Sequence, residues 1–170
     1  MKLQKKELRW GYLLSVVIGI WLLYTSFSDY DNRSYLPVFM SRSDLEQSVS
    51  YQSGSRKMEN PGKIYYKAPY VFINEKYKGI HVINNSDPAH PAPEGFIVAP
   101  GCIDMAVKGN ILYLDNAVDL VAFDLLSKQT TKRIRNVFPE PVSPDNDVFY
   151  FNIDREDFIL VGWKANPNKR

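Results

Sequence analysis

The longest run of apolar residues in the chain lies close to its N-terminus. Residues 10–27 read WGYLLSVVIGIWLLYTSF, eighteen residues without a charge. That is about the minimum for an α-helix that crosses a hydrocarbon core of roughly 30 Å, because each residue adds about 1.5 Å. Aromatic rings, which favour the membrane interfaces, lie toward both ends of the run at Trp10, Tyr12, Trp21, Tyr24 and Phe27. The pattern predicts one transmembrane helix.

The charges that flank this run predict its direction. Four basic residues precede it within residues 2–9, whereas Asp29 and Asp31 follow it. By the positive-inside rule, residues 1–28 are predicted to form a cytoplasmic tip and a signal-anchor, and the rest of the chain is predicted to lie on the outer side of the membrane. The alternative is a cleaved signal peptide, but Ser26-Phe27-Ser28 is a poor small-x-small site. No cysteine follows the run, which argues against lipoprotein acylation.

Residues 29–62 are polar and rich in serine, and they carry little periodic apolar signal. This composition predicts a stalk over the membrane. One short helix is expected within it, because Ser43-x-x-Glu46 has the form of a capping box and Leu45 and Val49 lie one turn apart.

From residue 63 to residue 164 the pattern changes to short runs rich in β-branched and aromatic residues, separated by Pro, Gly, Asn and Asp. Such runs predict strands. The predicted strands are 64–66, 70–74, 79–83, 95–99, 103–107, 111–115, 120–124, 130–135, 148–153 and 158–163. The proline-rich connectors 87–93 and 139–144 should lie outside the sheets, since proline donates no ladder hydrogen bond. Residues 165–170 form a polar tail.

The predicted strands repeat along the chain. Residues 70–74 match 111–115 at an offset of 41, and residues 79–84 match 119–124 at an offset of 40. A weaker third copy begins at Val148, another 37 residues on. A period near 40 made of short strands is the spacing of β-propeller blades. The matching positions are predicted to be buried: Phe72, Ile80, Val82, Tyr113, Leu120, Ala122 and Phe149.

These units resemble the LVIVD-repeat proteins of Bacteroidetes-type bacterial envelopes, in which a "yaYva" strand, a turn, an "LvIvDvsdP" strand and a proline-rich exit recur. Residues 79–91, GIHVINNSDPAHP, are similar to the second strand and exit, with Asn84 where that pattern has Asp. Residues 120–124, LVAFD, keep the strand without the Asp-Pro exit. Residues 36–41, LPVFMS, resemble the segment ahead of such repeats. The resemblance covers about residues 60–138, and it implies a propeller-like fold and little about activity.

The number of repeats limits the architecture. Propellers typically close with four to eight blades, whereas this chain provides two units and the strands of a third. The predicted fold class is therefore all-β, with two to three short propeller-like blade units behind one N-terminal transmembrane helix. Two outcomes are expected: either the chain forms a compact twisted β-stack, or its exposed sheet edges find a partner.

Residues that could carry catalysis or bind a metal are few. Cys102 is the single cysteine and is interpreted as a small buried thiol. His81 lies on a predicted strand and His90 in a proline loop, so no zinc site is expected. Asp115 and Asp124 end paired strands, where Asn74 and Asn84 hold the matching places, and all four are interpreted as turn caps.

The remaining acidic groups and the overall charge argue against calcium binding and nucleic-acid binding. Asp145-x-Asp147 and residues 154–157 bring carboxylates together in loops, where turn formation is favoured over calcium binding. Phosphate-binding loops and hydrolase motifs are absent from the sequence, so no cofactor, metal or catalytic residue is predicted. From Asp29 onward 17 basic residues face 18 acidic ones. This balance argues against nucleic acid as a partner.

Two classes of function follow. The favoured one is a non-enzymatic, membrane-anchored periplasmic interaction or scaffold module that contacts lipid through its N-terminal helix and binds another envelope protein or itself. The strand predicted to make this contact is apolar throughout and comprises Phe158, Ile159, Leu160, Val161 and Trp163. We expect it to be covered by a partner protein, by a second copy of the chain or by the segment around Val38–Met40. The alternative is a small-ligand or metal-binding sensor, or an uncharacterised envelope enzyme that uses the acidic loops.

Overall fold

The computed structural model describes residues 33–146 and 157–169. The predicted transmembrane helix and the predicted strand 148–153 lie outside these residues. The chain divides into two compact units, Met1–Leu36 with Ala165–Arg170, and Pro37–Lys164. In the described part of the first unit, Asn166 donates hydrogen bonds to the backbone oxygens of Arg33 and Ser34, at 2.8 and 2.9 Å.

Strands and one short helix make up the described residues. In chain order they are β1 (Tyr35–Ser41), α1 (Arg42–Gln47), β2 (Ser50–Ser53), β3 (Pro61–Lys67), β4 (Tyr70–Glu75), β5 (Gly79–Asn84), β6 (Ala92–Val98), β7 (Met105–Lys108), β8 (Ile111–Asn116), β9 (Asp119–Asp124), β10 (Gln129–Ile134) and β11 (Phe158–Ala165).

The strands form three antiparallel sheets, and none of them closes into a barrel within the described residues. The first sheet has the order β2-β6-β5-β4-β3, the second β10-β9-β8-β7, and the third consists of β1 and β11. Strands β3 to β6 and strands β7 to β10 are each a meander of four consecutive strands. The prediction of a mostly β protein is confirmed.

The nine predicted strands that fall within the described residues are all present, whereas β1 and β2 were not predicted. Strand β2 has the sequence SYQS, in which only Tyr51 is apolar, and it lies at a sheet edge. Strand β1 carries Pro37, which weakens a strand pattern. The segment 29–62, predicted as a stalk, therefore contributes two strands and a helix from its described part.

The short helix predicted within that segment is present, but it begins earlier than its capping motif indicates. Ser41 is the N-cap, and its hydroxyl accepts a hydrogen bond from the backbone N–H of Asp44 at 3.1 Å. Ser43 therefore already lies in the first turn and does not cap the helix. Leu45, on the inner side of the helix, is fully buried.

The main hydrophobic core lies between the two larger sheets. The first sheet contributes Phe72, Ile80 and Val82, as predicted, together with Ile97. The second sheet contributes Leu112, Leu114, Val121 and Phe123, which are all nearly inaccessible to solvent.

The prediction that Tyr113, Leu120 and Ala122 of the second sheet are buried in the core is wrong. Tyr113 is 37% exposed, and Leu120 and Ala122 are only half-buried. Strand β8 pairs Tyr113 with Ala122 and Asp115 with Leu120, so these residues share the face that points away from the core. Phe149, the last residue of the predicted set, lies outside the described residues.

The hairpin turns explain this error. In the first hairpin, five residues separate the buried pair Asn74 and Ile80, and in the second, six separate the matching pair Leu114 and Val121. The sequence offsets of 41 and 40 were therefore each wrong by one residue, and a shift of one residue moves every side chain of a strand to the opposite face, because side chains alternate along a strand. The structural offsets are thus 40 and then 41, the reverse of those read from sequence similarity.

Candidate functional site

The predicted contact strand, β11, is covered by the chain itself. Ile159, Leu160, Val161 and Trp163 are between 2% and 9% exposed, whereas Phe158 is 49% exposed. Strand β11 pairs with β1, which contains Val38–Met40. Of the three predicted covers, namely a partner protein, a second copy or this segment, the segment is the one present in the structure.

Side-chain packing holds this strand in place. Ile159 and Val161 pack in a cluster with Leu45, Ala117 and Val118. The indole Nε1 of Trp163 donates to the carbonyl oxygen of Pro141 at 2.9 Å. Of the predicted interaction residues, only Phe158 is open to a partner.

A different apolar surface is exposed on the first sheet. Strand register places Ile64 opposite Ile73, Tyr66 opposite Val71, and Val71 opposite Ile83. Directly opposed residues share a face, and this face points away from the core that Phe72 and Val82 line. We call these five residues the outer apolar face: Ile64, Tyr66, Val71, Ile73 and Ile83. Ile64 and Tyr66 are 68% and 61% exposed, and the other three are half-buried.

The sequence contained a signal for this face that strand assignment did not use. The run Ile64-Tyr65-Tyr66 places apolar side chains on both sides of one strand. In a sheet with one face in solvent, alternation of apolar and polar residues is expected instead. An uninterrupted apolar run therefore predicts that both faces of the strand are covered.

The neighbouring part of the same sheet face is covered by residues 54–60. The guanidinium carbon of Arg56 lies 4.3 Å from the centroid of the Phe96 ring, and Phe96 packs edge-on against His81. Beneath this segment, Nε2 of His81 lies 3.0 Å from Oε2 of Glu75, and both side chains are buried.

The carboxylate of Glu75 is held by several donors. It accepts backbone N–H groups of Glu59 and Asn60 at 2.8 to 3.2 Å, and Nζ of Lys78 lies 3.6 Å away. Burial acts to raise the pKa of Glu75, but the hydrogen bonds from His81, Asn60 and Glu59, with the charge of Lys78, outweigh it and lower the pKa. An ionised carboxylate only accepts, so Nε2 of His81 carries the proton.

This carboxylate–imidazole pair is structural in its geometry. General-base catalysis needs a substrate position within hydrogen-bond reach. Neither Glu75 nor His81 lines any of the three cavities described below. The pair instead fixes residues 59–60 at the entry to β3.

Asp115 has the corresponding role in the second sheet, where it fixes the residues that precede β7. Its carboxylate accepts the backbone N–H groups of Ile103 and Asp104, which lead into β7, at 2.9 to 3.1 Å. Burial raises the pKa of Asp115 against the effect of these hydrogen bonds. The structural counterpart of Asp115 is therefore Glu75, not Asn74 as the sequence offset indicated.

The predicted turn caps at the other strand ends are confirmed. Asn84 accepts the backbone N–H of Ser86 at 3.0 Å, and Asp124 accepts that of Leu126 at 2.8 Å. Each side chain caps its turn by accepting the backbone N–H group two residues further along the chain, as Asn and Asp side chains commonly do.

A buried ionic cluster connects α1 to the second sheet. The carboxylate of Asp119 has no exposed surface and receives Nη1 of Arg42 at 2.9 Å and Nη1 of Arg133 at 2.8 Å. It also accepts the backbone N–H of Asn136 at 3.1 Å. Nη2 of Arg133 donates to the carbonyl oxygen of Leu45 at 3.2 Å, near the end of α1.

The remaining candidate residues show no catalytic arrangement in the described part. Cys102 is free and buried, as predicted, and burial raises the pKa of its thiol well above the ordinary value. His90 is exposed and lies 2.8 Å from Asp87. The hydroxyl of Ser143 donates to Asp145. Across residues 33–146 and 157–169, no group of three or more acidic, histidine or cysteine side chains could hold a metal ion.

Three cavities lined by described residues of the second unit bear on a possible site. A cavity of about 150 Å³ lies between the two larger sheets at one end. A groove of about 480 Å³ runs beside the loop at Phe138–Val142, and a more polar groove of about 720 Å³ adjoins Arg42 and Arg135. The first is lined by three residues of the main core, Phe72, Val82 and Phe123, whereas the second reaches that core only at Met105.

Comparison of the chain with protein-family models, with curated proteins and with solved structures gives no match. Within the described residues, no helix has the length and apolarity needed to cross a membrane. The predicted anchor, residues 10–27, lies outside them.

Proposed function

We propose that the chain is a non-enzymatic interaction module, anchored by residues 10–27 in the bacterial inner membrane, that binds another envelope protein in the periplasm through the outer apolar face. The observation that carries the proposal is the exposure of aliphatic and aromatic side chains from three adjacent strands on one sheet face. Contiguous apolar surface of this kind is typical of protein–protein contact sites.

Charge and shape favour a protein as the occupant. The five residues of the face carry no formal charge, whereas Lys63 and Lys67 point to the opposite side of the same strand, where their Nζ atoms donate to Asp104 and to the carbonyl oxygen of Gly109. A patch without charged groups has the composition of the fully buried centre of a protein–protein interface. Strand β3 is also the edge of its sheet, which allows a partner to extend over the side of the face.

We further infer that the two meanders are blade-type repeats of the LVIVD kind. Propeller blades are four-stranded antiparallel sheets, and β3 to β6 and β7 to β10 have that connection order. Support also comes from the two repeated polar devices, the carboxylates of Glu75 and Asp115 and the turn caps Asn84 and Asp124. Two blades leave sheet faces that a closed ring would cover.

Site-specific photocross-linking in native membranes tests the proposal. With a photoreactive phenylalanine at position 66, we expect one discrete adduct to an envelope protein. The same probe at Val142, which is 70% exposed and lies outside the face, should give none.

A charge substitution supplies the second arm. Ile64→Lys should lower the yield of the adduct and of the co-purified partner by about tenfold, since the cost of placing a charge in an apolar contact exceeds about 1.4 kcal/mol. Val142→Lys is the matched control and should change neither yield. An adduct that persists in Ile64→Lys would refute this face as the contact site, and an adduct at twice the mass of the chain would identify a second copy as the partner.

A further inference from the structure

The 150 Å³ cavity lies where the two meanders meet, at the end that carries the β3–β4 and β7–β8 turns. Its floor is formed by core side chains, Phe72, Val82 and Phe123, which are at most 6% exposed. Pro69 and Asn110, from the two turns, lie at its walls. A ligand that enters here therefore meets the hydrophobic core directly.

Polar groups are concentrated on the other side of the lining. Tyr51 and Tyr70 contribute their rings, and Lys67, Glu94 and Lys128 are the charged residues of the cavity. Burial, and then the neighbouring Glu94 carboxylate, raise the pKa of the Tyr70 hydroxyl, so this phenol stays neutral. The lining thus carries one negative and two positive charges.

The two lysines differ in how they are engaged. Nζ of Lys67 donates to the carbonyl oxygen of Gly109 across the two turns. Nζ of Lys128 lies 4.0 Å from the centroid of the Tyr51 ring. Among the described residues, neither lysine forms a salt bridge. Lys128 is therefore a cation held at an apolar cavity by an aromatic ring. Glu94 lines the same cavity, but among the described residues no carboxylate forms a salt bridge with Lys128.

We propose that this cavity binds a small carboxylate with an apolar body, which inserts the body between Phe72, Val82 and Phe123 and presents the carboxylate to Lys128. The proposal is independent of the outer apolar face, since none of the five residues of that face lines the cavity.

Size limits the ligand. An apolar cavity of about 150 Å³ accommodates a body the size of a benzene ring. The carboxylate must then lie at the mouth, where the lysines are. Benzoate meets both conditions and is the probe of choice. A ligand with so few non-hydrogen atoms binds weakly, and we expect a Kd on the order of 0.1–1 mM.

The experiment follows amide chemical shifts of the isotopically labelled full chain in detergent micelles during titration with benzoate, benzyl alcohol and benzylamine. Benzoate should produce saturable shifts around Asn110, Phe123 and Lys128. Benzylamine has the same ring and the opposite charge, so it should bind at least about tenfold more weakly. Comparison between variants at one detergent concentration cancels partition of the probes into micelles.

Two lysine variants separate specific binding from non-specific attraction. Lys128→Gln should weaken benzoate binding by about tenfold. Lys132→Gln, an exposed lysine on β10 outside the cavity, should leave it unchanged. Absence of saturable shifts with benzoate, equal affinity for benzylamine, or unchanged affinity in Lys128→Gln would each overturn the proposal, and none of these results bears on cross-linking through position 66.

Discussion

Removal of the charge on Asp119 should destabilise the domain more than any comparable change at an exposed ion pair. Asp119→Asn keeps the shape of the side chain but leaves Arg42 and Arg133, whose side chains are 15% and 12% exposed, without their shared carboxylate. Breaking a buried pair typically costs about 3–5 kcal/mol. Because the amide oxygen of Asn can still accept one hydrogen bond, we expect about 3 kcal/mol.

The magnitude can be compared with the stability of the fold. Single domains are typically stable by about 5–15 kcal/mol, so a loss of about 3 kcal/mol is large. For a chain of this size it corresponds to a fall in Tm of roughly 6–12 °C. Glu59→Gln, which removes the exposed ion pair with Lys78, is the matched control and should leave the unfolding midpoint unchanged.

Denaturant unfolding followed by the fluorescence of Trp163 provides the assay. This indole is 9% exposed and hydrogen-bonded to Pro141, so it should respond to loss of the fold. Trp10 and Trp21 are replaced by Phe in all variants so that only one indole reports. A double-mutant cycle with Arg42→Gln should give a coupling energy of about 1 kcal/mol or more. A cost below about 1 kcal/mol for Asp119→Asn would refute the assignment of Asp119 as the buried centre of the cluster.

The same cluster makes a prediction about pH. Burial acts to raise the pKa of Asp119, but hydrogen bonds from Asn136, Arg42 and Arg133 outweigh it and lower the pKa. A folded-state pKa below the unfolded value of about 3.9 means that the stabilisation is present above that value and is lost as the pH falls through the folded-state pKa. The stability difference between wild type and Asp119→Asn should therefore be constant near neutral pH and shrink below about pH 4.

Two further pairs of variants test the packing by the same measurement. Leu112→Ala should cost about 2–5 kcal/mol because Leu112 is fully buried, whereas Leu120→Ala should cost about 1 kcal/mol or less; the reverse order would restore the register inferred from sequence. Gly79→Ala should prevent stable folding, since φ is +145° and a Cβ would lie 2.0 Å from the carbonyl oxygen of Ile97, while Gly109→Ala, at φ +62° in open space, should cost only about 1 kcal/mol; equal effects would contradict the close approach at Gly79.

Several features of the site followed from local sequence. Apolar runs bounded by Pro, Gly, Asn and Asp located the strands, since strand patterns are local. The caps at Asn84 and Asp124 were predictable because an Asx side chain bonds to a backbone group two residues away. The burial of Cys102 followed from its apolar neighbours.

Other features depended on residues far apart in the chain. The carboxylate of Asp119 contacts Arg42 across 77 positions, and no local pattern indicates that pairing. The cover over β11 comes from β1, whose Pro37 weakened its strand signal. The outer apolar face became recognisable only when the register aligned Ile64 with Ile73.

By itself the sequence determined the β character of the described residues and the approximate positions of nine of the strands, because both depend on the period and spacing of neighbouring side chains. Only the tertiary structure decided which side of β8 and β9 is buried, because a shift of one residue in the alignment of each strand reverses its faces without altering the alternation that the sequence displays. It also decided where apolar surface stays exposed, which depends on strand register, and where the cavity beside Lys128 opens, since residues of both larger sheets line that cavity.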